Sequence, residues 1–409
     1  VRGPATESRP SPSGHWPDDL LDVRSLRAQG WQAVPFRQFI VKLHERCNLA
    51  CDYCYMYELA DQSWRQRSVN MSRKTLAATA ARIAEHARTH RLPSVQVVLH
   101  GGEPLLVGSD MLDYTARTLR AAVRSDTDVD LRIQTNGTLL NEEILRILSR
   151  HRIRVGVSLD GDDDANDRHR RYRNGQGSYQ AVSRGLELLN QSQFRELFSG
   201  LLCTIDVRND PIAAYEGLAA FEPPIIDFLL PHGNWTERPP NLPDGAGTPY
   251  ADWLITIFDK WYESPPPRPG IRTFQSLIGL LLKRPASSET FGVEPVTLVV
   301  IETDGELQQV DSLKSAFQGA PSTNLNVRDN PLDDALEHPA IVARQLGVEG
   351  LADTCQACRF RDVCGGGLYT HRYREGVGFL NPSVYCTDLM KLITHIHDRV
   401  LRDLVAARR

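Results

Sequence analysis

Apolar residues recur along this chain in two alternating rhythms. Short runs rich in Val, Ile and Leu at 36–43, 95–99, 131–135, 153–159, 200–206 and 225–230 read as strands. The segments 72–90, 141–150, 178–190 and 211–221 instead carry apolar positions spaced three and four apart. In the first of these, Leu76, Ala80, Ile83, Ala84 and Ala87 share one helical face, Ser72 offers an N-cap and Pro93 lies beyond the end. Strands alternating with helices build βαβ units and a parallel sheet. Six strand–helix units fall short of an eight-fold barrel, and the pattern leaves an open or partial barrel and a doubly wound sheet both available. No short-period repeat of the solenoid kind is present.

Between Pro231 and Gly270 the pattern changes. Pro- and Gly-rich stretches flank one amphipathic segment, 250–262, and Ser264-Pro-Pro-Pro-Arg-Pro-Gly270 reads as a stiff connector. A further helix at 272–283 follows, then strands at 296–302 and 307–310 joined through Asp304-Gly305, a hairpin turn. Residues up to about 32 are rich in Pro, Ser, Gly and charge, with one apolar patch at Leu20-Leu21-Asp22-Val23, and read as a mobile arm. The expected division is an arm at 1–35, an α/β core at 36–235, a linker at 236–270 and a second domain at 271–409.

A chain of 409 residues has room for two or more cores. Its 47 basic and 51 acidic side chains are interspersed, giving a net charge of −4 and no basic footprint. Neither nucleic acid nor an anionic membrane is an expected partner. No apolar stretch approaches the roughly 20 residues of a spanning helix, and the first residues lack an apolar signal core, so a cytoplasmic location is expected.

Seven of the eight cysteines fall into two tight groups, which favours metal binding in a reducing compartment over a disulfide framework. Cys203, alone in an apolar run, reads as a buried strand residue. The first group, Cys47-Asn-Leu-Ala-Cys51-Asp-Tyr-Cys54, follows the first strand and presents three thiols. Three thiolates on a [4Fe–4S] cubane leave one iron open to a ligand, whereas structural zinc prefers four protein ligands. The second group, Cys355-x2-Cys358-x5-Cys364 with Cys386 further on, supplies four thiols, enough for zinc or for a closed iron–sulfur cluster.

Polar residues cluster where the predicted strands end, which is where ligands sit on barrels and open α/β sheets. His100-Gly101-Gly102-Glu103-Pro104 follows the second strand; paired glycines permit close backbone approach, and Glu103 offers an acceptor for an ammonium group. Asn136 ends the third strand and Ser158 the fourth. Arg168, Arg170, Arg171 and Arg173 precede a helix start.

The C-x3-C-x-aromatic-C spacing, with Tyr53 as the aromatic, resembles the signature of radical S-adenosylmethionine (SAM) enzymes. The resemblance implies a partial (β/α)6 barrel, SAM chelated to the open iron held by Cys47, Cys51 and Cys54, and a 5′-deoxyadenosyl radical that abstracts hydrogen from substrate. It also implies SAM contacts from Tyr53, Gly101, Gly102, Glu103, Asn136, Ser158 and Arg171. A flavodoxin- or ferredoxin-type donor would supply the electron. The late cysteines resemble the SPASM extension, which implies an iron–sulfur domain. Two of that extension's ligand positions are here Val310 and Leu368, so one auxiliary [4Fe–4S] cluster, on Cys355, Cys358, Cys364 and Cys386, is expected.

Further stretches, among them Leu230-Pro-His-Gly-Asn-Trp235, Cys364-Gly-Gly-Gly-Leu-Tyr-Thr-His-Arg372 and Asn381-Pro-Ser-Val-Tyr-Cys386, resemble the FxsB-type radical SAM/SPASM peptide maturases over about residues 36–400. That resemblance implies a ribosomally made precursor peptide as substrate and a cyclophane product, an aromatic ring carbon joined to the β-carbon of a residue two positions away. The auxiliary cluster would accept the electron released. Asp206, Asp227 and His232, at or near late strand ends, are the candidates for the base that takes the ring proton.

Overall fold

The computed structural model describes residues 16–17, 20–123, 127–243, 245, 247–285 and 289–407. Residues 1–15, 18 and 19 of the expected arm lie outside the described residues. Its end is ordered: Asp22 caps helix α1 (Val23–Ala28) by accepting from the Ser25 N–H at 3.0 Å, and Trp16 bridges to Gly378.

The strand–helix alternation read from the sequence is realised. β1 (Gln38–His44) is followed by α2 (Arg73–Thr89), β2 (Ser94–Gly101), α3 (Ser109–Ala122), β3 (Asp128–Thr135), α4 (Glu142–Arg150) and β4 (Arg154–Ser158). Then come α5 (Asp163–His169), α6 (Tyr179–Leu189), β5 (Phe198–Thr204), α7 (Pro211–Ala219) and β6 (Ile225–Leu229). Side-chain caps start several helices where expected, Ser72 on α2, Asn141 on α4 and Asp210 on α7. Helix α3, which the sequence reading passed over, begins at Gly108 without a side-chain cap.

β1 to β6 pair in parallel in chain order. In β2, Val95, Val97 and Leu99 turn to the helices and are buried, while Gln96, Val98 and His100 face the other way. β3 alternates likewise, with Val129, Leu131 and Ile133 under the helices and Asp130, Arg132 and Gln134 opposite. Polar side chains on that inner face bond to one another: Gln96 Nε2 donates to Asp130, which also receives Arg132 and Arg154. The sheet thus keeps a dry outer layer against the helices and a polar inner wall that leads up to the strand ends.

The second half of the chain completes this sheet. After α8 (Pro249–Glu263), β7 (Gly270–Ile271) extends the β6 edge, and α9 (Arg272–Leu281) packs behind it. β8 (Leu298–Ile301) returns to the far edge and pairs in parallel with β1, Phe39 opposite Val299. β9 (Glu306–Gln308) and β10 (Ser322–Asn326) continue antiparallel, giving one open ten-stranded sheet, β10-β9-β8-β1-β2-β3-β4-β5-β6-β7. The hairpin at Asp304-Gly305 forms as expected, with Gly305 at φ +90°. The compositional change at 236–270 therefore does not interrupt the sheet: strands from both sides of it share one ladder.

Beyond β10 lie short helical turns, α10 (Leu332–Ala335), α11 (Pro339–Ala343), α12 (Asp353–Gln356) and α13 (Arg361–Cys364), then the long α14 (Cys386–Ala406). α14 packs on α8 and α9 through Leu389, Leu392, Ile393 and Ile396. Val310 packs on a small aromatic core in which Tyr369 stacks on Phe379 at 4.5 Å. Apolar packing thus takes the place of a thiol at this hairpin position. No helix among the described residues is long and apolar enough to cross a membrane.

Candidate active site and a second thiol site

The cysteine loop leaves β1 at the carboxyl end of the sheet and is held there by backbone geometry. Gly102 N donates to His44 O at 2.8 Å and Glu103 N to Arg46 O at 3.0 Å. A β-carbon on Gly101 would lie 2.2 Å from His44 O, and one on Gly102 1.9 Å from the Tyr57 hydroxyl. The paired glycines are needed because the end of β2 runs against the loop.

A cavity of about 180 Å³ opens between this loop and the strand ends. Cys47, Cys51 and Cys54 border it, with Gly101, Gly102 and Tyr53. The inner-face residues Gln134, Ser158 and Thr204 line its wall, and Asn136 and Arg170 also reach it. Burial raises all three thiols, Cys51 to about 11 and Cys54 to about 12, so metal binding must displace protons. A loop-borne set of three convergent thiols fits a cubane with one iron left open.

Two polar clusters fix the loop. Asn136 Nδ2 donates to Cys47 Sγ at 3.6 Å and to Asn48 Oδ1 at 2.9 Å. The Tyr53 hydroxyl donates to Asp160 and accepts from Arg170 Nη1 at 2.9 Å, while Asp160 Oδ1 accepts from Thr204 N at 2.9 Å. Burial opposes the charge on Arg170, but Tyr53, Cys51 and Asp160 outweigh it and keep the guanidinium protonated.

Arg170 lines the cavity, and Arg171, the expected carboxylate partner, does not. Arg171 is exposed and donates to Asp167 O at 2.5 Å, outside the cavity lining. Adjacent residues of an extended segment point to opposite sides, so one position decides which arginine enters. Glu103, expected to accept from the SAM ammonium, does not line the cavity. Its carboxylate is 0 % exposed and accepts from Thr135 Oγ1 and Asn136 N, both at 2.7 Å, and from Leu105 N at 3.0 Å. It ties the ends of β2 and β3 together behind the cavity.

The three candidate bases part company. Asp206 lies outside the cavity lining, tied to Arg208 at 2.8 Å and His169 at 3.1 Å. Burial works against its ionisation, yet hydrogen bonds from Arg208 and His169 hold it at about 2. Asp227 faces a neighbouring cavity and pairs with Arg272 at 3.1 Å. His232 borders both cavities; its ring meets Tyr55 edge-on at 4.7 Å, and its Nδ1 is buried without a partner. Burial lowers it to about 4, leaving a neutral imidazole at pH 7. Asp311, which the sequence reading missed, ion-pairs with Lys42 at 2.9 Å and acts electrostatically on His100 and His232. Its one sequence signal is its place at the end of the hairpin, next to Val310.

The second thiol group closes around a separate cavity of about 220 Å³. Cys355 comes from α12, Cys358 from the turn after it, Cys364 from the end of α13 and Cys386 from the first residue of α14. Phe360, Met390 and Ile393 supply apolar walls. The buried Arg372 organises the loop between, donating to the carbonyls of Gly365, Gly366 and Gly367. Tyr385, next to Cys386, donates its hydroxyl to Pro231 O at 2.8 Å and so ties this site to the loop after β6. Four convergent thiols in a mostly apolar cavity fit a fully ligated cubane. With Cys203 buried in β5, no thiol of the eight is left for a third cluster.

An open parallel α/β sheet with three thiols on the loop after its first strand is the radical SAM type of fold. The model of the Radical SAM superfamily matches residues 41–212. A serine-type anaerobic sulfatase-maturating enzyme of Klebsiella aerogenes is 25 % identical over 381 residues, covering 87 % of each chain. The solved anSMEcpe with bound AdoMet and Cp18Cys peptide has the same fold, at TM-score 0.75 and 21 % identity, covering 89 % of this chain and 98 % of that one. Streptococcus suis SuiB bound to precursor peptide SuiA matches at TM-score 0.55 and 16 % identity, covering 89 % and 78 %.

Proposed function

We propose that this protein is a maturase of a ribosomally made precursor peptide, joining an aromatic ring carbon to the β-carbon of a residue two positions away. The observation that carries the reading is the cavity's two-sided wall: three thiols border it together with the Tyr55–His232 ring pair and the apolar Leu202, Leu229 and Leu230. Cys47, Cys51 and Cys54 would hold a cluster at which SAM would supply a 5′-deoxyadenosyl radical, strong enough to take hydrogen from an unactivated carbon. This chain's residues position and shield that chemistry. Gly101, Gly102, Asn136, Ser158 and Arg170 line the cofactor side, and Met56 with the three leucines limits water. His232, neutral at pH 7, accepts the proton released when the ring regains aromaticity. Crosslinking also releases one electron that deoxyadenosine does not carry away, and Cys355, Cys358, Cys364 and Cys386 would hold a group able to take it.

A second reading has a specific observation in its favour: the sulfatase-maturating relative aligns across most of this chain. Oxidation of a Ser or Cys side chain to an aldehyde would use the same cavity. One experiment separates the two. The reconstituted enzyme is incubated with SAM and either an aromatic-ended precursor peptide encoded beside its gene or a sulfatase-type Ser peptide. Crosslinking removes two hydrogens and leaves a product inert to hydroxylamine, with fragment ions missing between the joined residues. An aldehyde product that reacts with hydroxylamine would replace the crosslinking reading with the second one.

A further inference from the structure

On the outer side of the sheet, away from both thiol sites, two histidines and a carboxylate converge. His86 and His90, one turn apart at the end of α2, face Asp333 of α10. His86 Nδ1 lies 2.5 Å from Asp333 Oδ1, and His90 Nε2 lies 3.0 and 3.1 Å from the two carboxylate oxygens. The ring centroids are 4.5 Å apart.

The other nitrogen of His86 makes this arrangement informative. Nε2 is 3.2 Å from Phe36 O, and a carbonyl only accepts, so Nε2 carries the proton. In a neutral ring Nδ1 is then a lone pair aimed at a carboxylate oxygen. Two facing acceptors need a cation shared between them: at 2.5 Å a proton fits as the pair stands, and a metal at about 2.0–2.2 Å from each fits once the pair opens. A histidine whose second N–H is donated to a backbone carbonyl is the usual arrangement of a metal-binding imidazole.

We propose that His86 Nδ1, His90 Nε2 and Asp333 form a binding site for a divalent zinc-class cation. The three ligand atoms lie within 4.8 Å of one another, so rotamer-scale adjustment brings them to metal bonds of about 2.0–2.2 Å. His90 is a quarter exposed and Asp333 two-fifths, leaving room for a water as fourth ligand. The ion would staple α2 of the parallel core to the chain that follows β10, the joint between the two halves of the molecule.

The test uses the holoprotein, both thiol groups occupied by clusters and loose metal removed with a chelator. Equilibrium dialysis against Zn²⁺ with metal analysis is expected to give about one zinc per chain. Co²⁺ is expected to give a high-spin signal while the oxidised clusters are diamagnetic. His90→Ala and the isosteric Asp333→Asn, both at partly exposed positions, are each expected to weaken zinc binding at least ten-fold and to abolish the zinc-dependent rise in Tm. Equal zinc uptake by wild type and both variants would overturn the proposal. So would the absence of uptake by wild type, and His86 observed by ¹⁵N NMR as a doubly protonated ring would then identify the intervening cation as a proton.

Discussion

The two thiol sites differ in how they are built and in what surrounds them. The first draws three thiols from one eight-residue loop, at the carboxyl ends of parallel strands, beside a wall of polar groups from β3, β4 and β5. The second gathers four thiols from helical turns spread over residues 355–386, around apolar side chains. A three-thiol set leaves an iron free for a ligand, and a four-thiol set does not. On the proposed function, the difference assigns radical chemistry to the first site and electron storage to the second. Tyr385, bonded to Pro231 beside His232, forms one tie between them.

The comparison breaks most sharply at Cys386. It begins α14, so its ligation pins the long helix onto the α12–α13 turns. Cys386→Ser is expected to lose the second cluster while still forming 5′-deoxyadenosine, with peptide product falling to background. Iron content and both products, measured together on soluble protein that retains the first cluster, check this. Product at the wild-type rate without the second cluster would reduce that site to a scaffold.

A smaller effect is expected at Arg170. Arg170→Gln removes the guanidinium that donates to Tyr53 and acts electrostatically on the buried Asp160, and losing a hydrogen bond from a charged group costs about 1.5–3 kcal/mol. Urea unfolding should show the loss, with weaker SAM binding in the folded fraction. Arg171→Gln, one residue on and exposed, is expected to change neither.

Glu103→Gln sharpens the contrast between lining and support. An amide cannot accept from all three donors that Glu103 satisfies, and the mismatch should cost about 1–3 kcal/mol. A lowered Tm with SAM affinity of the folded protein nearly unchanged is the expected outcome. A large loss of affinity at unchanged Tm would put Glu103 in contact with the cofactor.

The smallest effect is pH-dependent. Asp206 is held at about 2 in the fold against an ordinary 3.8, so its contribution is present above pH 4 and lost as pH falls through 2. Discounted for screening by solvent, it is about 1 kcal/mol. The stability difference between wild type and Asp206→Asn should vanish over that window.

Much of this was legible in the chain. The six strands β1 to β6, the hairpin at Asp304-Gly305 and both cysteine groups follow from periodicity and spacing, which are local properties. Which strands become neighbours is not local: nothing in residues 298–301 announces a pairing with β1, because the partner lies far back along the sequence. Helix α3 was passed over because Gly108 gives no capping side chain and its buried face includes Thr115 and Ala116 beside Leu112 and Leu119. Arg170 and Arg171 are indistinguishable by composition, and only the turn after α5 turns one inward. His86 and His90 have visible helical spacing, but Asp333 joins them only through the tertiary fold.

The central claim, that the loop at 47–54 holds the open iron and the late cysteines do not, is tested most directly by low-temperature EPR of the reduced protein with and without SAM. Wild type should carry about eight irons in two cubanes. SAM should shift the signal of one cluster in wild type and in Cys386→Ser. In the Cys47, Cys51 and Cys54 triple Ala variant the remaining signal should be indifferent to SAM, and no 5′-deoxyadenosine should form. A SAM-sensitive signal or deoxyadenosine in that triple variant would contradict the account.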